Sequence, residues 1–161
     1  MFQETEIKYK ETDRMLSEKF KDTDITLKQQ KYLFISDWGN LVESLFDGDI
    51  VTLLNQRGIN VIDIIEGRNG RRDGINFEFD IITINNTEMV IVEVKTTLTP
   101  EDIRLFLKKL AQAKDWMPEY ADKIVYGAVA FISEDTGSSA MAEKNGLFVI
   151  KATGDSASIV N

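Results

Sequence analysis

Cysteine and histidine are both absent from the 161 residues of this chain. Without cysteine there is no disulfide framework, no thiol nucleophile and no thiolate metal site. Without histidine the Ser-His-Asp relay, the imidazole base and the usual zinc ligands are excluded as well. Proline occurs only twice, and no apolar run approaches the ~18–20 residues that span a bilayer. No basic-then-apolar leader opens the chain, so the expected location is the cytoplasm and no membrane partner is expected. Chemistry here has to run on carboxylates, lysine, arginine and hydroxyls. A metal, if used, is a hard cation held by oxygen.

What is present is 43% hydrophobic and 29% charged, the composition of one globular domain, or of one domain with an appendage. The net charge of −8 argues against nonspecific attraction to polyanions. That charge is unevenly spread. Residues 1–50 hold 11 acids and 7 bases, whereas from Lys95 to Lys114 five bases stand against Glu101 and Asp102.

Residues 3 to 46 contain no proline and one glycine, Gly39. Phe2, Tyr9 and Leu16 fall one heptad apart, and Phe20, Leu27, Phe34 and Leu41 form a second series offset by four residues, as at a coiled-coil stutter. The companion positions Thr5, Thr12 and Lys19 are poor, so a solvated, charge-laced helix competes with a dimeric coiled coil. The expected division is an N-terminal helix over 1–37, with homodimerisation through it, and a domain over 38–161.

Past Asp47-Gly48-Asp49 the pattern changes. Ile59 to Glu66 reads as a strand and Gly67 to Gly74 as a turn-rich loop carrying Arg68, Arg71 and Arg72, placed to grip phosphates or to lie in solvent. Ile75 to Ile84 alternates as a strand, Asn85-Asn86 offers the φ > 0 residues of a tight hairpin, and Glu88 to Lys95 is the next strand. Thr99-Pro100-Glu101-Asp102 opens a helix with a capping hydroxyl, proline at its first position and acids in its first turn, and that helix runs to about Trp116. A strand over Ile124 to Ile132, a short helix over Ser138 to Asn145 and a strand over Leu147 to Lys151 complete the order α-β-β-β-α-β-α-β. This is an α/β domain with helices against a mixed sheet.

The strand Met89-Val90-Ile91-Val92-Glu93-Val94-Lys95 carries the chemistry. Its first half is apolar on both faces, as in a covered central strand. Glu93 and Lys95, two residues apart, then point to one face. Charged groups at the end of a buried strand are costly to desolvate. Asp80 lies on the preceding strand. A turn at Asn85-Asn86 would pair Asp80 with Ile91 and put Glu93 one diagonal step away, and a turn at Asn86-Thr87 would set Asp80 opposite Glu93. In either register the two carboxylates converge. Unit charges ~4 Å apart repel by ~4 kcal/mol at an effective dielectric of 20, which Lys95 offsets in part and a divalent cation offsets better.

Asp80, then Glu93-Val94-Lys95, then a helix, resembles the signature of the PD-(D/E)XK nuclease superfamily, whose restriction-endonuclease-like core is α-β-β-β-α-β. The likeness covers about residues 38–151. Phe79 stands where the family's name has proline. The phrases EFDIITIN, IVEVKTTLTPEDI, VYGAVAF and AEKNGLFVIKATGD are similar to a prokaryotic branch of that superfamily in which a coiled-coil-like helix precedes the nuclease-like domain. The resemblance implies that Asp80, Glu93 and the carbonyl of Val94 ligate Mg²⁺ or Mn²⁺, and that Lys95 orients or deprotonates the attacking water. It further implies that Glu43 on the first core helix completes the catalytic set, and that Gln112, Lys108 or Lys109 serve on the helix after the lysine strand, each otherwise a solvated surface group. The activity implied is metal-dependent hydrolysis of phosphodiester bonds in DNA. The competing expectation is an inactive nuclease-fold module that assembles through its N-terminal helix.

Overall fold

The computed structural model describes residues 38–153 and 156–161, and the architecture below is that of the unit Leu41–Asn161. The coiled-coil and dimer expectations for residues 1–37 lie outside the described residues. A first helix, α1, covers residues 41–44 and continues as a π-helical turn over Leu45–Asp49, followed by α2, Ile50–Asn55. Six strands form one sheet in the order of the chain: β1 Asp63–Arg72, β2 Ile75–Ile84, β3 Glu88–Leu98, β4 Ile124–Glu134, β5 Phe148–Thr153 and β6 Ser156–Ile159. The β1–β2, β2–β3 and β5–β6 pairs are antiparallel, and β3–β4 and β4–β5 are parallel. Each parallel connection carries a helix, α3 (Pro100–Trp116) and α4 (Ser138–Lys144), as same-direction neighbours require. The result is a mixed α/β domain.

Helix α3 begins as its sequence dictates. Thr99 Oγ1 accepts from the Asp102 N–H at 3.2 Å, and Asp102 Oδ2 accepts from the Thr99 N–H at 3.0 Å, a reciprocal capping box with Pro100 at the first helical position. Its Ile103, Phe106 and Ala113 join Met89, Ile91, Val129, Phe131 and Val149 of the sheet in one apolar core. The alternate residues Ile81, Val90, Val92, Val94, Ala128, Ala130 and Ile150 are buried too, so β3 and β4 are covered on both faces, as the apolar run in β3 predicts.

The first strand departs from expectation. Residues 67–72, expected as a loop, belong to β1, which pairs with β2 from Asp63↔Ile84 to Arg72↔Ile75. The turn is the Asp73-Gly74 dipeptide, with φ of 52° and 80°, the two positive angles that a two-residue hairpin matched to strand twist demands. Two glycines made this stretch read as a loop, and each has a local reason. A side chain at Gly70 would put its Cβ 2.8 Å from the Phe77 ring, so the ring needs that glycine beneath it. Gly67 takes φ 66°, a conformation that costs other residues roughly 1–2 kcal/mol.

At β2–β3 the pairing runs Ile84↔Met89, Ile82↔Ile91 and Ile81↔Val92, the register of a turn at Asn86-Thr87. The expected positive φ at Asn85-Asn86 is not used, since Asp73 is the only described residue other than glycine with φ > 0. Asn85 holds the turn through its side chain, whose Oδ1 accepts from the Thr87 and Glu88 N–H groups at 2.9 and 2.6 Å. Lys123 donates to the Asn85 and Asn86 carbonyls at 2.6 and 3.2 Å, tying the turn to the start of β4. Strand β6 was not anticipated. Its sequence Ser156-Ala157-Ser158-Ile159 has little strand preference. Long-range contacts hold this end of the chain, with Arg57 donating to the Ile159 and Asn161 carbonyls at 3.0 and 2.9 Å.

Candidate metal and phosphodiester site

The site lies where β2 leaves β3. Backbone pairing between them stops at Ile81↔Val92, while β2 continues to Ile75 alongside β1. The strand's alternation breaks at the same point. Phe79 and Ile82, three residues apart, both enter the core under α3, although strict alternation would send them to opposite faces. Gly67 stands across from Asp80 on β1, and its left-handed backbone accommodates the break. The consequence is that Asp80 turns toward β3.

There its Oδ2 accepts from the Val94 N–H at 2.8 Å, the donor that continued pairing would have given to the β2 backbone. A residue's N–H and C=O leave an extended strand on the same edge, so the Val94 carbonyl also faces this opening. The Asp80 carboxyl lies within hydrogen-bonding reach of Glu93, as the hairpin register requires, and is pushed up to about 8. Burial is the main cause and the Glu93 charge the second, while the Val94 N–H and the Lys109 ammonium act the other way.

Glu93 is 5% exposed and Lys95 6%, and both meet α3. The strand runs up to Leu98, and α3 returns over it, so Asp102 lies above Lys95 and Lys109 above Glu93. The two helix residues are seven apart, two turns along one face. Lys109 Nζ stands 3.2 Å from Glu93 Oε2. Lys95 Nζ stands 3.6 Å from Asp102 Oδ1, the distance of an ion pair rather than of a hydrogen bond.

These pairs differ in strength. Both side chains of Lys95–Asp102 are sealed, at 7% and 8% exposure, and breaking such a pair by removing one partner costs about 3–5 kcal/mol. Lys109 is 22% exposed, nearer to the surface class of ion pair worth roughly 0–1 kcal/mol. It also lies over the Phe79 ring, 5.2 Å from its centroid.

The structure thus brings together Asp80, Glu93, the Val94 backbone, Lys95 and Lys109. Asp102, a capping residue by its place in the sequence, is also the counter-ion of Lys95. The signal for it was the short connection, since β3 ends at Leu98 and α3 starts at Pro100. Glu43 is solvent-exposed on α1, and Lys108 and Gln112 are exposed on α3. Trp116 stacks on Phe77 with ring centroids 5.2 Å apart. Among the described residues no group of three or more acids is placed to hold a metal. Any cation here would rest on two carboxylates, a carbonyl and water. The three arginines lie on β1 rather than in a loop. Arg68 pairs with Glu119 at 2.7 Å, Arg72 lies 5.9 Å from the Phe77 centroid, and Arg71 is exposed.

No protein-family model matches the chain, and no curated protein does. Among solved structures, EndoMS in a complex with dsDNA is 18% identical over 71% of this chain and 43% of its own, with a TM-score of 0.45. A repair endonuclease from Pyrococcus abyssi is 18% identical over 66% of this chain and 46% of its own, with a TM-score of 0.40. A protein of unknown function, AF1548, is 11% identical over 67% of this chain and 58% of its own, with a TM-score of 0.44. The chain therefore spans less than two thirds of the length of each of these structures. No described helix is long and apolar enough to cross a membrane.

Proposed function

We propose that this domain is a metal-dependent nuclease that hydrolyses phosphodiester bonds of DNA at the Asp80–Glu93–Lys95 centre. The observation that carries the reading is the pair of carboxylates, buried Glu93 and part-buried Asp80, facing one another across the opened β2–β3 edge. Burial first, and the Glu93 charge second, push the Asp80 carboxyl up to about 8, so positive charge placed between the two acids would be favoured there. The donor set suits Mg²⁺ or Mn²⁺, because carboxylate, carbonyl and water oxygens are what hard divalent cations select.

Asp80, Glu93 and the Val94 carbonyl would hold that cation. When bound, it polarises the phosphate and lowers the pKa of a water molecule. The chain's own residues supply the rest. Lys95, fixed by Asp102, directs an ammonium to the reacting phosphate, where it orients the attacking water and offsets charge that builds on the phosphoryl oxygens. The exposed arginines of the β1–β2 hairpin and Lys108 offer contacts to the nucleic-acid backbone, which position without reading sequence. The choice of DNA rests on the superfamily resemblance. No imidazole is needed, in keeping with a chain that has none.

The test is cleavage of supercoiled plasmid and of labelled DNA and RNA oligonucleotides in Mg²⁺ and in Mn²⁺, with Glu93→Ala and Lys95→Ala purified in parallel. Metal-dependent cutting of DNA by the wild type, reduced at least a hundredfold in both variants, is the expected result. Equal cutting by all three would assign the activity to a contaminant and reject the reading.

A further inference from the structure

The centre contains two ammonium groups with opposite mechanical properties. Lys95 is buried on the central strand and faced by Asp102, itself fixed by the two hydrogen bonds of the capping box. Lys109 approaches from α3 on a flexible four-carbon stem, is partly solvent-exposed, and lies over the Phe79 ring, 5.2 Å from its centroid, a face that can hold the ammonium without the carboxylate. Its Nζ sits 3.2 Å from Glu93 Oε2. A divalent cation held between Asp80 and Glu93 would draw on the same carboxylate. Two cations on one carboxylate repel, and of the two neighbouring ammonium groups Lys109 is the more exposed, at 22% against 7% for Lys95.

We propose that Lys109 is an exchangeable counter-ion of the metal site. It pairs with Glu93 while no divalent cation is bound, yields that carboxylate when one arrives, and turns its ammonium outward, where a polyanion can meet it. This rests on the nuclease reading above and adds to it a residue that couples the occupancy of the metal site to the polyanion.

Calorimetric titration of Mn²⁺ into the full chain at pH 8, without nucleic acid, tests the exchange. The wild type is compared with Lys109→Met and Lys109→Gln, two neutral replacements of similar length, each checked for folding by circular dichroism. Removing the competitor should tighten Mn²⁺ binding roughly tenfold, within the usual range for two ligands coupled through one site. Binding in all three proteins, with equal or weaker affinity in the variants, would overturn the exchange and leave the nuclease reading intact. Absence of Mn²⁺ binding at millimolar concentration in all three would overturn both.

Discussion

In the presence of a chelator, the wild-type chain is expected to lose stability as pH rises from about 4 to about 8, and Asp80→Asn to abolish most of that loss. The folded chain holds the Asp80 proton up to about 8, against an ordinary value of 3.8. Folding therefore binds this proton more tightly than the unfolded chain does. The stabilisation is complete below about pH 4, declines through the interval, and is gone above about 8. At ~1.4 kcal/mol per pH unit between the two values, the loss is at most on the order of 6 kcal/mol. Asparagine keeps a carbonyl oxygen for the Val94 N–H and carries no charge to repel Glu93, so the variant should be the more stable protein at pH 8 without metal. Saturating Mg²⁺ reverses the ranking, because only the wild type gains the free energy of cation binding. Urea unfolding at pH 5, 7 and 9, with chelator and with Mg²⁺, reads all of this. A wild type whose stability is level across the range would contradict the geometry described for Asp80 and Glu93.

The second large effect is expected at Asp102. Alanine there removes the counter-ion of a buried lysine and half of the capping box at once. The first loss costs about 3–5 kcal/mol and the second typically ~1 kcal/mol. Asp102→Asn keeps an oxygen for the Thr99 N–H and loses only the charge, so it separates the two contributions. In a Lys95→Met background the charge contribution should largely vanish, since no buried ammonium is left unpaired. Chemical denaturation of the two single variants and the double variant forms the cycle that measures this coupling. Purely additive losses would mean that the 3.6 Å contact contributes nothing.

Much of this arrangement was legible in the sequence because β-strand chemistry is local. Alternation marked β2, and the apolar run ending in Glu93 and Lys95 marked a covered central strand. Hairpin arithmetic brought Asp80 to Glu93 in either admissible register, and Thr99, Pro100 and Asp102 together fixed the start of α3. What stayed hidden depends on contacts that no window of sequence contains. Gly67 and Gly70 look like loop residues until Phe77 is seen lying over one and the break in alternation at Asp80 opposite the other. The roles of Asp102 and Lys109 require the rotation of α3 over β3, which is set by core residues such as Phe106 and Ala113. Glu43 was anticipated at the site by resemblance alone, and its helix presents it to solvent.

The proposed function requires a divalent cation between Asp80 and Glu93, and proton release tests that requirement most directly. Mn²⁺ is titrated into the wild type at pH 7 and at pH 9, each in two buffers of different ionisation enthalpy. Binding at pH 7 should release about one proton, the one Asp80 holds to about 8, and binding at pH 9 should release almost none. Affinity should climb by up to about tenfold per pH unit below that value and level off above it. Mn²⁺ binding with no proton released at pH 7, or binding undiminished in Asp80→Ala, would place the cation elsewhere and contradict the account.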